Sequence, residues 1–174
     1  TNSISEGTHW TLGYGETELT VDINDGENYY IAGYRNGYTV TGVLDYQMVR
    51  SVWIDDNSSD GGIFMIVVDC IGLASGDINI IKDLLYKQIE KHEINCRTIH
   101  IISTHTHAGI DTLGLWGPVG IQGKNEKLMN TLYEAAVSSA VLAYINKKNG
   151  ELYIGETVID DLQHDSRPPY RSEE

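Results

Sequence analysis

The most apolar stretch of this 174-residue sequence is Ile63-Phe64-Met65-Ile66-Val67-Val68. A short apolar run bounded by turn residues predicts a strand that lies buried in the centre of a sheet. After it, apolar residues recur at helical spacing over residues 77–92, with Asp77 in position for a helix N-cap. A second apolar run, Thr98-Ile99-His100-Ile101-Ile102, predicts another strand. Strand, helix and strand in this order predict a βαβ crossover over residues 63–105, with two parallel neighbouring strands.

Further elements are predicted on both sides of this crossover. Before it, strands are predicted at residues 10–20, 29–32 and 46–54, which are rich in aromatic and β-branched residues. After it, helical spacing predicts a second helix at residues 125–146, and a last strand is predicted at residues 152–159. The sequence therefore predicts an α/β fold, with a mixed β-sheet, a βαβ crossover and two main flanking helices.

Length and composition indicate one globular domain. Hydrophobic residues make up 41% and charged residues 21% of the chain, which are ordinary values for a globular protein. The formal net charge of −13 repels phosphate backbones and no basic run offsets it, so no nucleic acid partner is expected. No apolar run approaches the roughly 20 residues that a helix needs to cross a bilayer.

The first candidate site residues lie where the two parallel strands are predicted to end. Ligands bind near the carboxyl ends of parallel strands, and both Asp69 and His105 stand at such ends. If the second strand continues, His105 and His107 share one face, because side chains two residues apart point the same way. Two such imidazoles could bind a metal ion or a polar substrate, or could simply hydrogen-bond within a polar loop. Asp69 could orient an imidazole or cap a nearby helix or loop amide, and Asp111 could also orient an imidazole.

Several short segments of the sequence match motifs that occur together in one known protein family. They include Gly13-Tyr14-Gly15, Val21-Asp22-Ile23, Ala32-Gly33-Tyr34, Gly42-Val43-Leu44-Asp45, Val67-Val68-Asp69 and Ser166-Arg167. The most specific is Thr104-His105-Thr106-His107-Ala108-Gly109, which is close to the signature Thr-His-Thr-His-Ser-Gly-Pro. Ala108 and Ile110 stand in place of the Ser and the Pro of that signature. With these segments the chain resembles the N-terminal part of the neutral/alkaline, non-lysosomal ceramidase family, as a variant branch.

The resemblance implies an activity and roles for individual residues. The activity is that of a zinc-dependent amidohydrolase, which hydrolyses the N-acyl (amide) bond of a ceramide-like lipid. His105 would ligate one catalytic zinc ion, and His107 would position the substrate or handle a proton. Gly33 would offer a backbone contact to the polar head of the lipid, and Arg167 would border the same pocket.

The resemblance also implies that residues 1–174 form a single domain that is the N-terminal fragment of a larger ceramidase-like catalytic domain. The remaining zinc ligands of the family, a His, a Glu and a Tyr, would lie beyond Tyr170, in the C-terminal remainder of the same polypeptide. The fragment alone is expected to bind zinc weakly and to be inactive, because a catalytic zinc usually has three protein ligands. Family members imply a secreted or cell-surface location.

A second class of function fits the same residues. In this alternative the chain is a non-catalytic α/β binding module, in which His105 and His107 recognise a polar or lipid head group. The two hypotheses differ in the metal content that they predict, because only the hydrolase requires a bound metal ion.

Overall fold

The computed structural model describes residues 9–158, which form one mixed sheet with two helices. The strands are β1 (Trp10–Leu19), β2 (Gln47–Asp55), β3 (Gly62–Val68), β4 (Cys96–Ser103) and β5 (Lys148–Gly150), and the helices are α1 (Ser75–Lys91) and α2 (Glu126–Ile145). The strand order is β4-β3-β2-β1-β5. The α/β fold with a mixed sheet and two flanking helices is therefore confirmed.

The βαβ crossover is present as predicted. β3 and β4 pair in parallel, with Phe64 opposite Ile99 and Val68 opposite Ser103, and α1 connects them. The other strand pairs are antiparallel. Since parallel neighbours end at the same edge of a sheet, the segments that follow Val68 and Ser103 begin side by side.

Both helices pack on one face of the sheet and share one core with it. Phe64 and Ile66 of β3 belong to the same buried cluster as Leu85 of α1 and Leu132 of α2. Burying one such side chain contributes about 1.5–3 kcal/mol relative to leaving it in water. The pairing of apolar strand faces with apolar helix faces thus fixes the position of the sheet edge that carries the histidines.

Two glycines of β1 allow α2 to approach the sheet closely. A Cβ atom added at Gly13 would lie 1.9 Å from the carbonyl oxygen of Ala143, and one at Gly15 would lie 2.2 Å from that of Ser139. Beside this contact the hydroxyls of Ser51 and Ser139 form a buried 2.6 Å hydrogen bond. Any side chain at Gly13 would therefore push the helix away from the strand.

The helix boundaries agree with those predicted from the sequence, except at the N-cap of α1. The side chain of Asn125 accepts a 3.0 Å hydrogen bond from Leu128 N, and α2 ends at its C-cap Asn146, so residues 125–146 were predicted correctly. Asp77 is not the N-cap of α1, because the helix already begins at Ser75 with Ala74 as its cap. Instead the Asp77 carboxylate accepts a 3.3 Å hydrogen bond from Ala74 N, since an acidic residue in the first turn can satisfy a free amide there.

Two predicted strands are wrong in form or position. Residues 29–32 contribute only isolated bridges, from Tyr30 to Thr39 and from Ile31 to Ile110. The last strand is β5 and not residues 152–159; residues 151–158 form no strand, and residue 159 lies outside the described range. The reason is the register, because Gly150 already pairs with Trp10, the first residue of β1, and later residues meet no further part of that strand.

Neither helix is long and apolar enough, within the described residues, to cross a membrane.

Candidate functional site

The candidate site lies at the edge where the parallel strands β3 and β4 end. The amide of Thr104 donates a 3.0 Å hydrogen bond to Val68 O, which ties the first residue after β4 to the end of β3. The hydroxyl of Thr112 donates a 2.5 Å hydrogen bond to Gly72 O. These bonds hold the loop that carries His105 and His107 against the loop that leads into α1.

His105 and His107 meet, but not for the reason that the sequence indicated. β4 ends at Ser103, and His105 adopts a left-handed backbone conformation with φ of 61°, so the two residues do not share a strand face. The turn nevertheless brings their rings together, with centroids 4.9 Å apart and planes at 77°. A left-handed conformation at a residue other than glycine is costly, and such strain is typical of functional sites.

The ring of His105 has a defined tautomer. Its Nδ1 lies 2.7 Å from the carbonyl oxygen of Ile71, which can only accept a hydrogen bond, so Nδ1 carries the proton. The lone pair of the neutral ring is therefore on Nε2. A backbone carbonyl on one ring nitrogen is the usual support for a histidine whose other nitrogen binds a metal ion.

The Nε2 atoms of the two rings lie 3.3 Å apart. A hydrogen bond from His107 Nε2–H to the His105 lone pair accounts for this distance. Moreover, Nδ1 of His107 is buried and has no hydrogen-bond partner among residues 9–158.

Gly33, which the resemblance placed at the same site as His107, lies directly against that residue. The segment before it is hydrogen-bonded to the segment after His107, through Ala32 N to Gly109 O at 2.9 Å and Asp111 N to Tyr30 O at 2.8 Å. Gly33 has φ of 114°, and an added Cβ would lie 2.6 Å from Cβ of His107. The next residue, Tyr34, places its ring edge-on to that imidazole at 5.0 Å.

The two predicted carboxylates have other partners. Asp69 accepts hydrogen bonds from Met48 N at 3.1 Å and from the guanidinium of Arg50 at 3.0 Å. Asp111 is fully buried and accepts from the backbone amides of Leu113, Gly114 and Trp116 at 2.8–2.9 Å. Both accept hydrogen bonds from backbone amides, and neither is hydrogen-bonded to an imidazole of the described residues. Arg167 lies outside those residues.

Gln47 supports the site and has no distinctive signal in the sequence. Its side-chain amide donates a 2.5 Å hydrogen bond to Asp69 O and accepts one of 3.1 Å from Ile110 N. It thereby joins the loop after β3 to the loop that carries the histidines. As a polar residue at the first position of a strand, Gln47 is indistinguishable in sequence from an ordinary surface residue.

An apolar cleft of about 270 Å³ adjoins the histidine loop. Its lining includes Leu19, Val21, Ile31, Val40, Leu44, Ala108 and Gly109. Because Ala108 directly follows His107, the cleft and the imidazoles share one loop. A larger depression near Tyr14 and Lys147 lies by the other end of β1 and has no histidine in its lining.

Residues 9–158 supply two imidazoles to this edge and not a complete metal site. No three His, Cys, Asp or Glu side chains within that range are grouped so that they could hold a metal ion. A metal ion bound here would need ligands from elsewhere.

Comparison with known proteins identifies the fold. No protein-family model and no curated protein matches the chain. Among solved structures, a ceramidase complexed with C2 matches with a TM-score of 0.61 and 18% identity, covering 82% of this chain and 22% of that chain. The neutral ceramidase from Pseudomonas aeruginosa matches with a TM-score of 0.62 and 17% identity, with the same coverages.

The chain therefore has the α/β fold found in part of solved neutral ceramidases, and the resemblance seen in the sequence is confirmed for the fold. It is similar to the Pseudomonas aeruginosa enzyme over most of its own length. It spans only 22% of the length of these solved chains, and at this identity the likeness concerns the fold alone.

Proposed function

We propose that the longer protein containing this chain is a zinc-dependent amidohydrolase of the ceramidase type, which hydrolyses the N-acyl bond of a ceramide-like lipid. In this proposal the chain carries only part of the site. The observation that carries it is the meeting of His105 and His107 at the carboxyl ends of parallel strands, in a fold shared with solved ceramidases.

His105 is the proposed zinc ligand. Its Nδ1–H is engaged by Ile71 O, which restricts rotation of the ring and leaves the Nε2 lone pair to bind the ion in place of the hydrogen bond from His107. The other ligands would come from the C-terminal remainder of the same polypeptide, so the 174-residue chain alone would bind zinc weakly and would be inactive. When bound, zinc lowers the pKa of its water to about 7 and polarises the amide carbonyl.

His107 is the proposed proton-transfer or substrate-positioning residue. Hydrolysis of an amide requires that the departing amine be protonated, and an imidazole beside the reaction centre can do this. Gly33 and Tyr34 confine the His107 ring on one side. In addition, Gly33 would contact the polar head of the lipid through its peptide group, and Arg167 would border the pocket.

The apolar cleft is the proposed location for a hydrocarbon chain of the substrate. Aliphatic side chains line it, and the backbone at Ala108 and Gly109 joins it to the histidine loop. A lipid amide needs an apolar surface for its chains and polar groups at the scissile bond, and these two features adjoin here. The longer protein would act as a secreted or cell-surface enzyme.

The decisive experiment replaces His105 by Ala in the full-length protein. We expect turnover of an N-acyl sphingosine substrate to fall by about a thousandfold or more and the zinc content to fall with it, because both depend on Nε2. The matched control is His92→Ala, an exposed histidine at the C-terminal end of α1. Unchanged zinc content and turnover in the His105 variant would contradict the proposal.

The alternative, a non-catalytic binding module, is favoured by one observation. Only two metal-binding side chains meet at this edge within the described residues, and their Nε2 atoms already form a hydrogen bond with each other. In that case the purified full-length protein would contain no zinc, and chelators would leave its affinity for lipid head groups unchanged.

A further inference from the structure

The central strand β3 is apolar on both of its sides. Phe64, Ile66 and Val68 are buried beneath the helices, whereas Ile63, Met65 and Val67 are only partly buried. Side chains alternate along a strand, so this second set points to the sheet face opposite the helices. A sheet with one face in water normally carries polar residues at such positions.

The neighbouring strands extend the same pattern. By register, Val52 lies opposite Met65 and Ile54 opposite Ile63, while Leu12 lies opposite Ile54 and Ile102 opposite Val67. We call this set the open face; it comprises Leu12, Val52, Ile54, Ile63, Met65, Val67 and Ile102, together with the polar residues Thr98 and His100 of the edge strand β4, which lie opposite Ile63 and Met65. Neither helix covers it, because α1 and α2 both pack on the other side of the sheet.

Charged side chains lie at one border of the open face. Arg50 contacts Asp69 at 3.0 Å and Glu16 at 3.7 Å, close to the edge at which β3 ends. An apolar centre with a polar rim is the usual anatomy of a surface that is covered by another element.

We infer that the open face is an interface covered by a further layer of the same longer polypeptide. Solved chains with this fold are matched over only 22% of their length, so the fold occurs within a much larger chain. A second copy of the chain is a poorer occupant, because two copies would bring together net charges of −13. The covering layer should present aliphatic side chains opposite Met65 and Val52, with neutral or basic groups near Glu16.

The inference does not rest on the proposed chemistry. A covered open face is equally compatible with a hydrolase and with a binding module. Loss of zinc or activity in a histidine variant and exposure of the open face are measured separately, so either proposal can fail alone.

Thiol labelling of the full-length protein tests the inference. Ile102 on the open face and Ile80 on α1 are 44% and 43% exposed in this chain, which makes them a matched pair. Each is replaced by Cys in turn, in a background with Cys96→Ser, and the rate of maleimide labelling at that peptide is followed by mass spectrometry. The rate in denaturant gives the reference for each position, and Thr98→Cys provides a second probe of the open face.

If the face is covered, native Ile102→Cys should label at least about 100-fold more slowly than in denaturant, at any protein concentration. The native labelling rate of Ile80→Cys, relative to its rate in denaturant, shows how much protection a residue of the same exposure has on a helix surface. Labelling of Ile102→Cys and Thr98→Cys within about tenfold of the denatured rate would overturn the inference. Protection that disappears on dilution, together with a dimer mass, would assign the face to a second copy and would also overturn it.

Discussion

Gly33 and His107 are packed so closely that no side chain fits between them. An added Cβ at Gly33 would lie 2.6 Å from both Cβ and Cγ of the histidine, and the φ of 114° already favours glycine. We expect Gly33→Ala to displace the His107 ring, to lower the free energy of unfolding by about 1–3 kcal/mol and to reduce any activity that uses the ring.

Gly26→Ala is the control for this prediction. Gly26 has φ of 89° but no atom within 4 Å of an added Cβ, so it reports backbone strain without the contact. Urea denaturation of both variants separates the two effects. Equal losses of stability, with activity retained in Gly33→Ala, would show that the contact does not position His107.

The Gln47 side chain holds together the two loops of the site. Gln47→Ala leaves the Asp69 carbonyl and the Ile110 amide without their 2.5 and 3.1 Å partner, so we expect a loss of about 1–3 kcal/mol. Gln122→Ala, at an exposed glutamine of the following loop, should change stability by less than about 0.5 kcal/mol. Chemical denaturation of the two variants measures both losses of stability. A loss in Gln47→Ala no larger than that in Gln122→Ala would show that the two Gln47 hydrogen bonds contribute nothing to stability.

Asp77 joins α1 to α2 and to the loop between β4 and α2. Its buried carboxylate accepts a 2.6 Å hydrogen bond from Lys124 Nζ and another of 2.6 Å from the Tyr133 hydroxyl. Asp77→Asn leaves the ammonium of Lys124 unpaired, so we expect a loss of about 3–5 kcal/mol in thermal or chemical unfolding. Lys127→Ala, which breaks a pair at an exposed lysine, should cost no more than about 1 kcal/mol. A comparable loss in both variants would contradict the special role of Asp77.

Tyr133 should make stability fall at high pH. Burial, and then its hydrogen bond to Asp77, raise the pKa of its hydroxyl above the ordinary value of 10.0. In the unfolded chain the phenol ionises near that ordinary value while the folded chain keeps it neutral, so the contribution is present below pH 10 and is lost as pH rises further. Urea denaturation between about pH 8 and pH 11 should show a steeper decline for the native sequence than for Tyr133→Phe. Parallel curves would refute this.

The sequence predicted the central crossover because its signals are local and strong. The apolar run of β3 and the helical spacing of α2 each need only a few neighbouring residues to be recognised. The cap at Asn125 is a local signal of the same kind. The predicted position of the last strand was wrong because it depends on where β1 begins, which is a property of pairing between distant segments.

The candidate site was predictable in its residues and not in its geometry. The His-Thr-His pattern and the nearby Gly33 could be chosen from their motifs, and the structure brings them together. The left-handed turn at His105 could not be foreseen, because few residues other than glycine adopt this conformation and no neighbouring residue signals it. Gln47 was missed because its importance arises from two backbone groups that are distant in sequence.

The glycine contact between β1 and α2 has a consequence for synthesis of the protein. Gly13 and Ala143 are about 130 residues apart, so the first strand leaves the ribosome long before the helix that packs on it exists. Until α2 is made, one side of β1 and β2 remains uncovered on the nascent chain, where it is open to wrong partners. Chaperone capture during translation should therefore be strongest before Ala143 emerges.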